Sequence, residues 1–218
     1  MSSEIKANSI QDKTGTRVLA SDSGSAWSWG SGLPSGSIIQ VQHTQYGDAT
    51  GEDANMTSIG TNTNYVVCDG TAGSGTEILN VNITPKIYGS KIWLQCHWMG
   101  ELEEDRGYDS VFFFWRNTVK IASAVTHGSP VIGEIGISLA TRSYHDFNDD
   151  STPVILNMQY FDAHGQTQSD INSGTQITYK LGFATAESTC DQLTTNRCIS
   201  SSAGEVGVSS ICAIELAP

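Results

Sequence analysis

The chain has 218 residues, a net charge of −12 and an isoelectric point near 4.6. An acidic surface is repelled by phosphate groups, so nucleic acid is a poor partner, and no apolar run approaches the length that membrane insertion requires. Hydrophobic residues make up 38% of the chain, charged residues make up 16%, and there are 22 glycines. These totals favour one large all-β domain with many turns and an attachment segment.

The first 33 residues differ from the rest of the chain. Ile5 and Ile10 are isolated among polar residues, and the stretch around Trp27 and Trp29 is rich in Ser and Gly. Such a segment cannot bury a core within one chain, yet two tryptophans are costly to leave in water. We therefore predict that residues 1–33 attach the protein and are ordered by partner chains, with a flexible leader as the alternative. The segment has no apolar core of signal-peptide length, which predicts synthesis in a cytoplasm.

The strongest strand signal runs from residue 79 to residue 100. Leu79, Val81 and Ile83 alternate with polar residues, and Pro85 then breaks the run. A second alternation follows, in which one set of side chains points to each face: Ile92, Leu94, Cys96 and Trp98 oppose Lys91, Trp93, Gln95 and His97. A period of two predicts two strands of a sheet with one buried face.

Other strands are expected on both sides of this pair. The run from Leu33 places Ile39, Val41 and His43 on one face, and the last strand alternates through Val208, Cys212, Ile214 and Leu216. The run VFFFWRNTVKIASAV reads as a hairpin that turns at Asn117. Its two faces are both apolar: Val111, Phe113 and Trp115 on one, Phe112 and Phe114 on the other.

No segment has a convincing helical period. Nine or ten short strands separated by turns predict an antiparallel, jelly-roll-like β-sandwich over residues 34–218. Burial on both faces of the hairpin, together with the N-terminal tryptophans, predicts a homotrimer.

The five cysteines do not form a zinc-binding pattern. Cys68, Cys96 and Cys212 lie in strand-like runs and are expected to be small buried residues. Cys190 and Cys198 flank a polar loop and are either disulfide-bonded in oxidising surroundings or free thiols.

The sequence lacks the common catalytic motifs, so an enzyme is not predicted, and no cofactor is expected. Cys96 and His97 are neighbours on a strand and face opposite ways. The carboxylates at 101 and 103–105 are expected to be solvated, with glycoside hydrolysis as the rival reading. Asp146, Asn148 and Asp150 match the spacing of the first ligands of a calcium-binding loop. Ser151 replaces the glycine that such a loop requires, so no metal site is predicted.

Several stretches resemble, in order, segments of fibre and related virion proteins from marine bacteriophages, including cyanophages. They are SEIKANSIQDKTGTRVL, LPSGSIIQV, ITPKIYGSKIWL, FFFWRNTV, TQITYKLGF and ICAIEL. The resemblance implies a homotrimeric virion protein with a jelly-roll-like head domain. It also implies attachment to other virion proteins through the N-terminal segment, and often a receptor-binding tip, but it carries no catalytic motif.

If the strands run up and down in order, three long polar loops gather at the end far from Leu33: 47–61, 143–152 and 185–206. The same count puts 85–90 and 117–118 at that far end and puts 70–77, 100–109 and 162–174 at the near end. Loops at one end of a rigid sheet often carry recognition. The residues expected to bind a host glycan or protein are Tyr144, His145, Asp146, Asn148, Asp149 and Asp150.

The sequence thus predicts a phage tail fibre that is bound through Ile5, Ile10, Trp27 and Trp29 to its own copies or to the particle. A head fibre, decoration or baseplate connector without a receptor role is the alternative, and a polysaccharide depolymerase is a third hypothesis.

Overall fold

The computed structural model describes the backbone in ten segments. These are residues 9–11, 17–21, 27–29, 33–47, 78–102, 110–121, 138–139, 153–185, 193–198 and 205–218. Within them, antiparallel strands dominate and helix is almost absent, which confirms the all-β class.

Three short strands of the N-terminal segment pair with one another. They are β1 (Ser9–Gln11), β2 (Arg17–Ser21) and β3 (Trp27–Trp29), in the order β1-β2-β3. The sequence analysis predicted an extended segment here but no strands, because the apolar residues are too few to show a period of two. Ile10 lies in β1 and both tryptophans lie in β3, while Ile5 lies outside the described residues.

The front sheet contains five strands. They are β4 (Ile38–Tyr46), β6 (Lys91–Leu102), β10 (Val154–Asp162), β12 (Leu193–Thr195) and β13 (Ser209–Leu216). The order is β10-β6-β13-β4, and β12 pairs with the end of β6 beyond β13. The predicted alternation in β6 is confirmed, since Ile92, Leu94, Cys96 and Trp98 are all buried.

The back sheet also contains five strands. They are β5 (Leu79–Ile83), β7 (Ser110–Arg116), β8 (Val119–Ile121), β9 (Ser138–Leu139) and β11 (Ile177–Thr185). The order is β5-β11-β7-β8, and β9 pairs with β7. Asn117 makes the predicted turn between β7 and β8 with a positive φ of 52°, which asparagine tolerates.

The two sheets share one core. Trp98 of the front sheet packs on Phe112 of the back sheet, with ring centroids 4.8 Å apart. Leu79, Val81 and Ile83 line the back sheet as predicted, and Phe112 and Phe114 are fully buried. Trp115, on the opposite side of β7, is only 6% exposed within a single chain.

Two strands contradict the predicted phase. In β4, Ile39 is buried whereas Val41 is 51% exposed. The register against β13 shifts between Ile38 and Gln40, so Ile39 is an extra residue and the alternation changes there. In β13 the prediction was wrong, since the residues in the core are Ile211, Ala213 and Glu215. Cys212, Ile214 and Leu216 lie on the other face.

A one-turn helix, α1 (Gln168–Ser173), interrupts a stretch that was predicted as loop. Thr167 and Asp170 form a reciprocal capping box, and Gly174 ends the helix in the left-handed region with φ of 68°. The helix is too short to produce a hydrophobic period, so only the cap pattern could have revealed it.

The strand register places the loops at two ends of the sheets. The near end holds Ile38 and Leu216, which pair directly; the far end holds Tyr46 and Ser209. Three described residues at the far end adjoin other connections: Gly47 precedes 48–77, Pro153 follows 140–152, and Thr185 precedes 186–192.

The predicted placement was wrong for three other connections. The turn at 84–90 lies at the near end, where Gln40 donates a hydrogen bond to the Thr84 carbonyl. The turn at 117–118 lies there as well, beside Thr178. The loop after Leu102 leaves from the far end. The count failed because β5 runs toward the near end, opposite to the direction that the count assigned to it.

Candidate functional site

A recess in the described part of the chain lies on the solvent side of the front sheet. Paired residues on neighbouring antiparallel strands point to the same side, so the face opposite the core can be read as rows across the strands. We call this side the outer face.

Two rows of the outer face are polar. One row runs across β10, β6, β13 and β4 through Gln159, Gln95, Cys212 and His43, and the next through Asn157, His97, Ser210 and Gln45. We call these eight residues the polar band. Every member except Gln45, together with Cys96 and Met158, lines a recess with a volume of about 520 Å³. That volume falls in the range of sites that hold small molecules.

An apolar row borders the polar band on the side of the near end. It consists of Phe161, Trp93, Ile214 and Val41, in strand order. The rings of Trp93 and Phe161 stack with centroids 5.4 Å apart and planes inclined by 10°. Phe161 and Val41 are both more than half exposed, so the row presents apolar surface to solvent. On the other side of the band, the pair Ile155 and Met99 follows.

None of the residues in these rows is Asp, Glu, Lys or Arg. This is unusual for an exposed surface in a chain whose net charge is −12. These rows therefore form an uncharged part of the outer face, next to solvent.

One internal contact orients the polar band. His97 Nδ1 lies 2.9 Å from Asn157 Oδ1, across the β6–β10 pair. This contact fixes the imidazole ring, so Nε2 is the ring atom that remains for a ligand. The Gln95 and Gln159 side chains make no hydrogen bond to the described part of the chain.

The pKa shifts of the two thiols near this face favour the protonated form. Burial raises the pKa of Cys212, and burial raises the pKa of Cys96 far above its ordinary value, so both remain protonated at neutral pH. Cys96 also lies on the core side, while His97 lies on the outer face, as the sequence predicted.

A second polar cluster is buried at the near end, around Glu215. Its carboxylate accepts hydrogen bonds from the backbone N–H groups of Lys86 and Ile87, from Ser90 Oγ at 2.7 Å and from Gln40 Nε2 at 2.6 Å. Glu215 is fully buried. The carboxylate therefore holds the β5–β6 turn against the last strand of the front sheet.

Ser90, Glu215 and His164 have the composition of a hydrolase triad but not its arrangement. His164 Nε2 lies 3.2 Å from Ser90 Oγ, and His164 Nδ1 accepts a hydrogen bond from the Gln166 N–H. Since Nδ1 is the acceptor, the neutral ring carries its proton on Nε2 and donates to Ser90, which in turn donates to Glu215. A general base needs a lone pair facing the serine, so this chain of bonds does not activate Ser90.

Protonating His164 should destabilise the fold. Burial lowers the pKa of His164 below its ordinary value of 6.5, although nearby Glu215 and Asp162 act in the opposite direction. Because the unfolded chain then binds the proton more tightly, the stability from neutral His164 is complete above pH 6.5. It is lost as the pH falls from 6.5 toward the folded pKa.

We expect the free energy of unfolding, measured by urea titration at several pH values from 7.5 downward, to fall less steeply in His164→Gln than in the wild type. The difference has a ceiling of about 1.4 kcal/mol per pH unit, which corresponds to one proton. Parallel curves for the two proteins would contradict this role of His164.

Arg116, Asp162 and Tyr179 complete the near-end cluster. Arg116 Nη1 lies 2.9 Å from both oxygens of Asp162, and Tyr179 Oη donates to Asp162 at 2.6 Å. Burial and the neighbouring carboxylate raise the pKa of Tyr179 well above its usual range. These bonds connect β10 of the front sheet to β7 and β11 of the back sheet and so stabilise the packing of the two sheets.

The predicted receptor residues lie outside the described residues. They are Tyr144, His145, Asp146, Asn148, Asp149 and Asp150, and Pro153, where the description resumes, lies at the far end of the front sheet. Cys190 is also outside, while Cys198 is buried and its pKa is raised by burial, so the Cys190–Cys198 bond stays a prediction. Among the described side chains, no three His, Cys, Asp or Glu residues converge as metal ligands.

Sequence reasoning missed the polar band as a site. It placed Gln95 and His97 on one face of β6 but had no means of knowing which strands flank β6. Glu215 was also missed, although a carboxylate inside the apolar run ICAIEL was a visible signal of a buried, hydrogen-bonded charge.

Comparison with known proteins adds no identity. The sequence matches no protein-family model, and it matches no curated protein. None of the helices in the described segments has the length and apolar character needed to cross a membrane.

Proposed function

We propose that this chain is a structural protein of a bacteriophage virion. It forms a trimeric fibre that is attached by residues 1–33 and binds a host-surface receptor. In this proposal the two sheets belong to a jelly-roll-like head, and the protein reaches the particle after synthesis in the bacterial cytoplasm.

One observation carries the proposal. Five of the six stretches that resemble phage fibre proteins fall on strands of the two sheets that share the core. LPSGSIIQV includes the start of β4, ITPKIYGSKIWL joins β5 to β6, and FFFWRNTV is the β7–β8 hairpin; TQITYKLGF and ICAIEL contribute to β11 and β13. The resemblance therefore follows the framework of the domain rather than its loops.

The far end of the sheets supports a receptor role. Three long polar segments, 48–77, 140–152 and 186–192, are anchored there by described residues, away from the end where the chain arrives after Leu33. A rigid sheet with variable loops at one end is a common arrangement for recognition.

The experiment is to raise antibody against the purified full chain and locate it on phage particles by electron microscopy, while light scattering gives the mass of the purified protein. We expect a trimer and label on a fibre. A folded monomer would contradict the trimer, and label on the capsid surface or the baseplate would favour the decoration or connector alternative. Label nowhere on the particle would contradict the virion assignment itself.

A further inference from the structure

We propose that the polar band of the outer face binds a neutral, polyhydroxylated ligand, which is the chemistry of an uncharged saccharide. The proposal rests on the proposed function only for the source of the ligand, a host-surface glycan. Binding itself depends on the residues of the front sheet.

The charge of the face selects a neutral ligand. No lysine or arginine in its rows could neutralise an anion, and the chain's net charge of −12 repels one. No carboxylate in the rows could compensate a cation either. Burying an uncompensated charge is costly, so anionic and cationic ligands are both disfavoured.

The hydrogen-bonding groups of the band match hydroxyls. A hydroxyl both donates and accepts, and so does the primary amide of glutamine. Gln95 and Gln159 are directly paired, exposed, and without hydrogen bonds to described residues. The ring of His97, fixed by Asn157, adds a further polar atom at a defined position.

The apolar row supplies the second element of saccharide recognition. Phe161 is 54% exposed and is supported from behind by its stack on Trp93. It lies one row from Gln159, or about 7 Å along the strand. An exposed ring at that distance can cover the C–H face of a sugar while the amides bond its hydroxyls.

The arrangement is less suited to an interface between copies of the chain. Interfaces between subunits concentrate apolar residues at the centre and polar residues at the rim. Here the order is reversed, because the polar band lies in the middle and the exposed apolar residues Phe161, Val41 and Ile155 lie in the rows beside it.

The test uses nuclear magnetic resonance of the isotopically labelled full chain, titrated with glucose, galactose, mannose and N-acetylglucosamine. We expect at least one of these sugars to shift the side-chain amide signals of Gln95 and Gln159. Glucuronate, which adds a negative charge to the glucose framework, should bind at least about tenfold more weakly than glucose.

The double variant Gln95→Ala/Gln159→Ala should weaken binding by about tenfold or more, because it removes two amide partners. Gln176→Ala is the matched control, since Gln176 is an exposed glutamine outside the polar band, directly before β11. It should bind like the wild type. All three substituted positions are solvent-exposed, so the core is unaffected.

Three results would overturn the proposal. The first is that none of the four sugars shifts the glutamine signals, and the second is that the double variant binds as tightly as the wild type. The third is that the double variant has a lower oligomeric mass than the wild type by light scattering, which would assign the face to contacts between copies. Because the particle location is measured separately, a negative result here leaves the virion assignment standing, and absence from the particle leaves saccharide binding standing.

Discussion

Replacing Glu215 with alanine is expected to lower the free energy of unfolding by about 3 to 5 kcal/mol. The carboxylate is fully buried and accepts hydrogen bonds from two backbone N–H groups, from Ser90 and from Gln40. Alanine leaves these donors without an acceptor in a region that water does not reach.

Two variants sharpen the measurement, which is urea unfolding at one fixed protein concentration. Glu215→Gln keeps one carbonyl oxygen and should lose less than Glu215→Ala. Glu205→Ala removes an exposed carboxylate and should change stability by no more than about 0.5 kcal/mol. A Glu215→Ala protein as stable as the wild type would show that the cluster does not hold the turn.

Replacing Trp98 with alanine is the second large expected loss, again about 3 to 5 kcal/mol. Trp98 is fully buried, packs on Phe112 across the two sheets, and donates from Nε1 to Thr195 Oγ1 at 3.0 Å. Alanine therefore opens a cavity between the sheets and also removes a buried hydrogen bond to β12.

The same strand provides the control. Trp93 has the same chemistry but is only half-buried, on the outer face against Phe161, so Trp93→Ala should cost less, about 1 to 2 kcal/mol. Thermal and urea unfolding of both variants measures the contrast. Equal losses at the two positions would mean that the outer face is as tightly covered as the core.

Much of the fold was predictable where one face of a strand is clearly apolar. The alternation in β5 and β6, the turn after Ile83, and the turn at Asn117 all follow from local pattern and residue chemistry. These features depend on neighbours in sequence, which the sequence displays directly.

The failures have a shared physical origin in long-range pairing. β13 lies between β6 and β4, so it has neighbours on both edges and apolar side chains on both faces. When both faces are apolar, side-chain size does not reveal the core side, which here holds Ile211, Ala213 and Glu215. The polar band could not be predicted for the same reason, because its rows exist only once β10, β6, β13 and β4 are aligned.

The position of β13 has a consequence for how the protein is made. Gln40 and Glu215, which pair in the finished sheet, are 175 positions apart in the chain. Within the described segments, β4 pairs only with β13, so during translation it waits for almost the whole domain with both edges open. Open strand edges attract other chains, and distant pairings form slowly. The polysome is therefore where this protein is most exposed to wrong partners, and newly made copies close to one another face the greatest risk of pairing through β4.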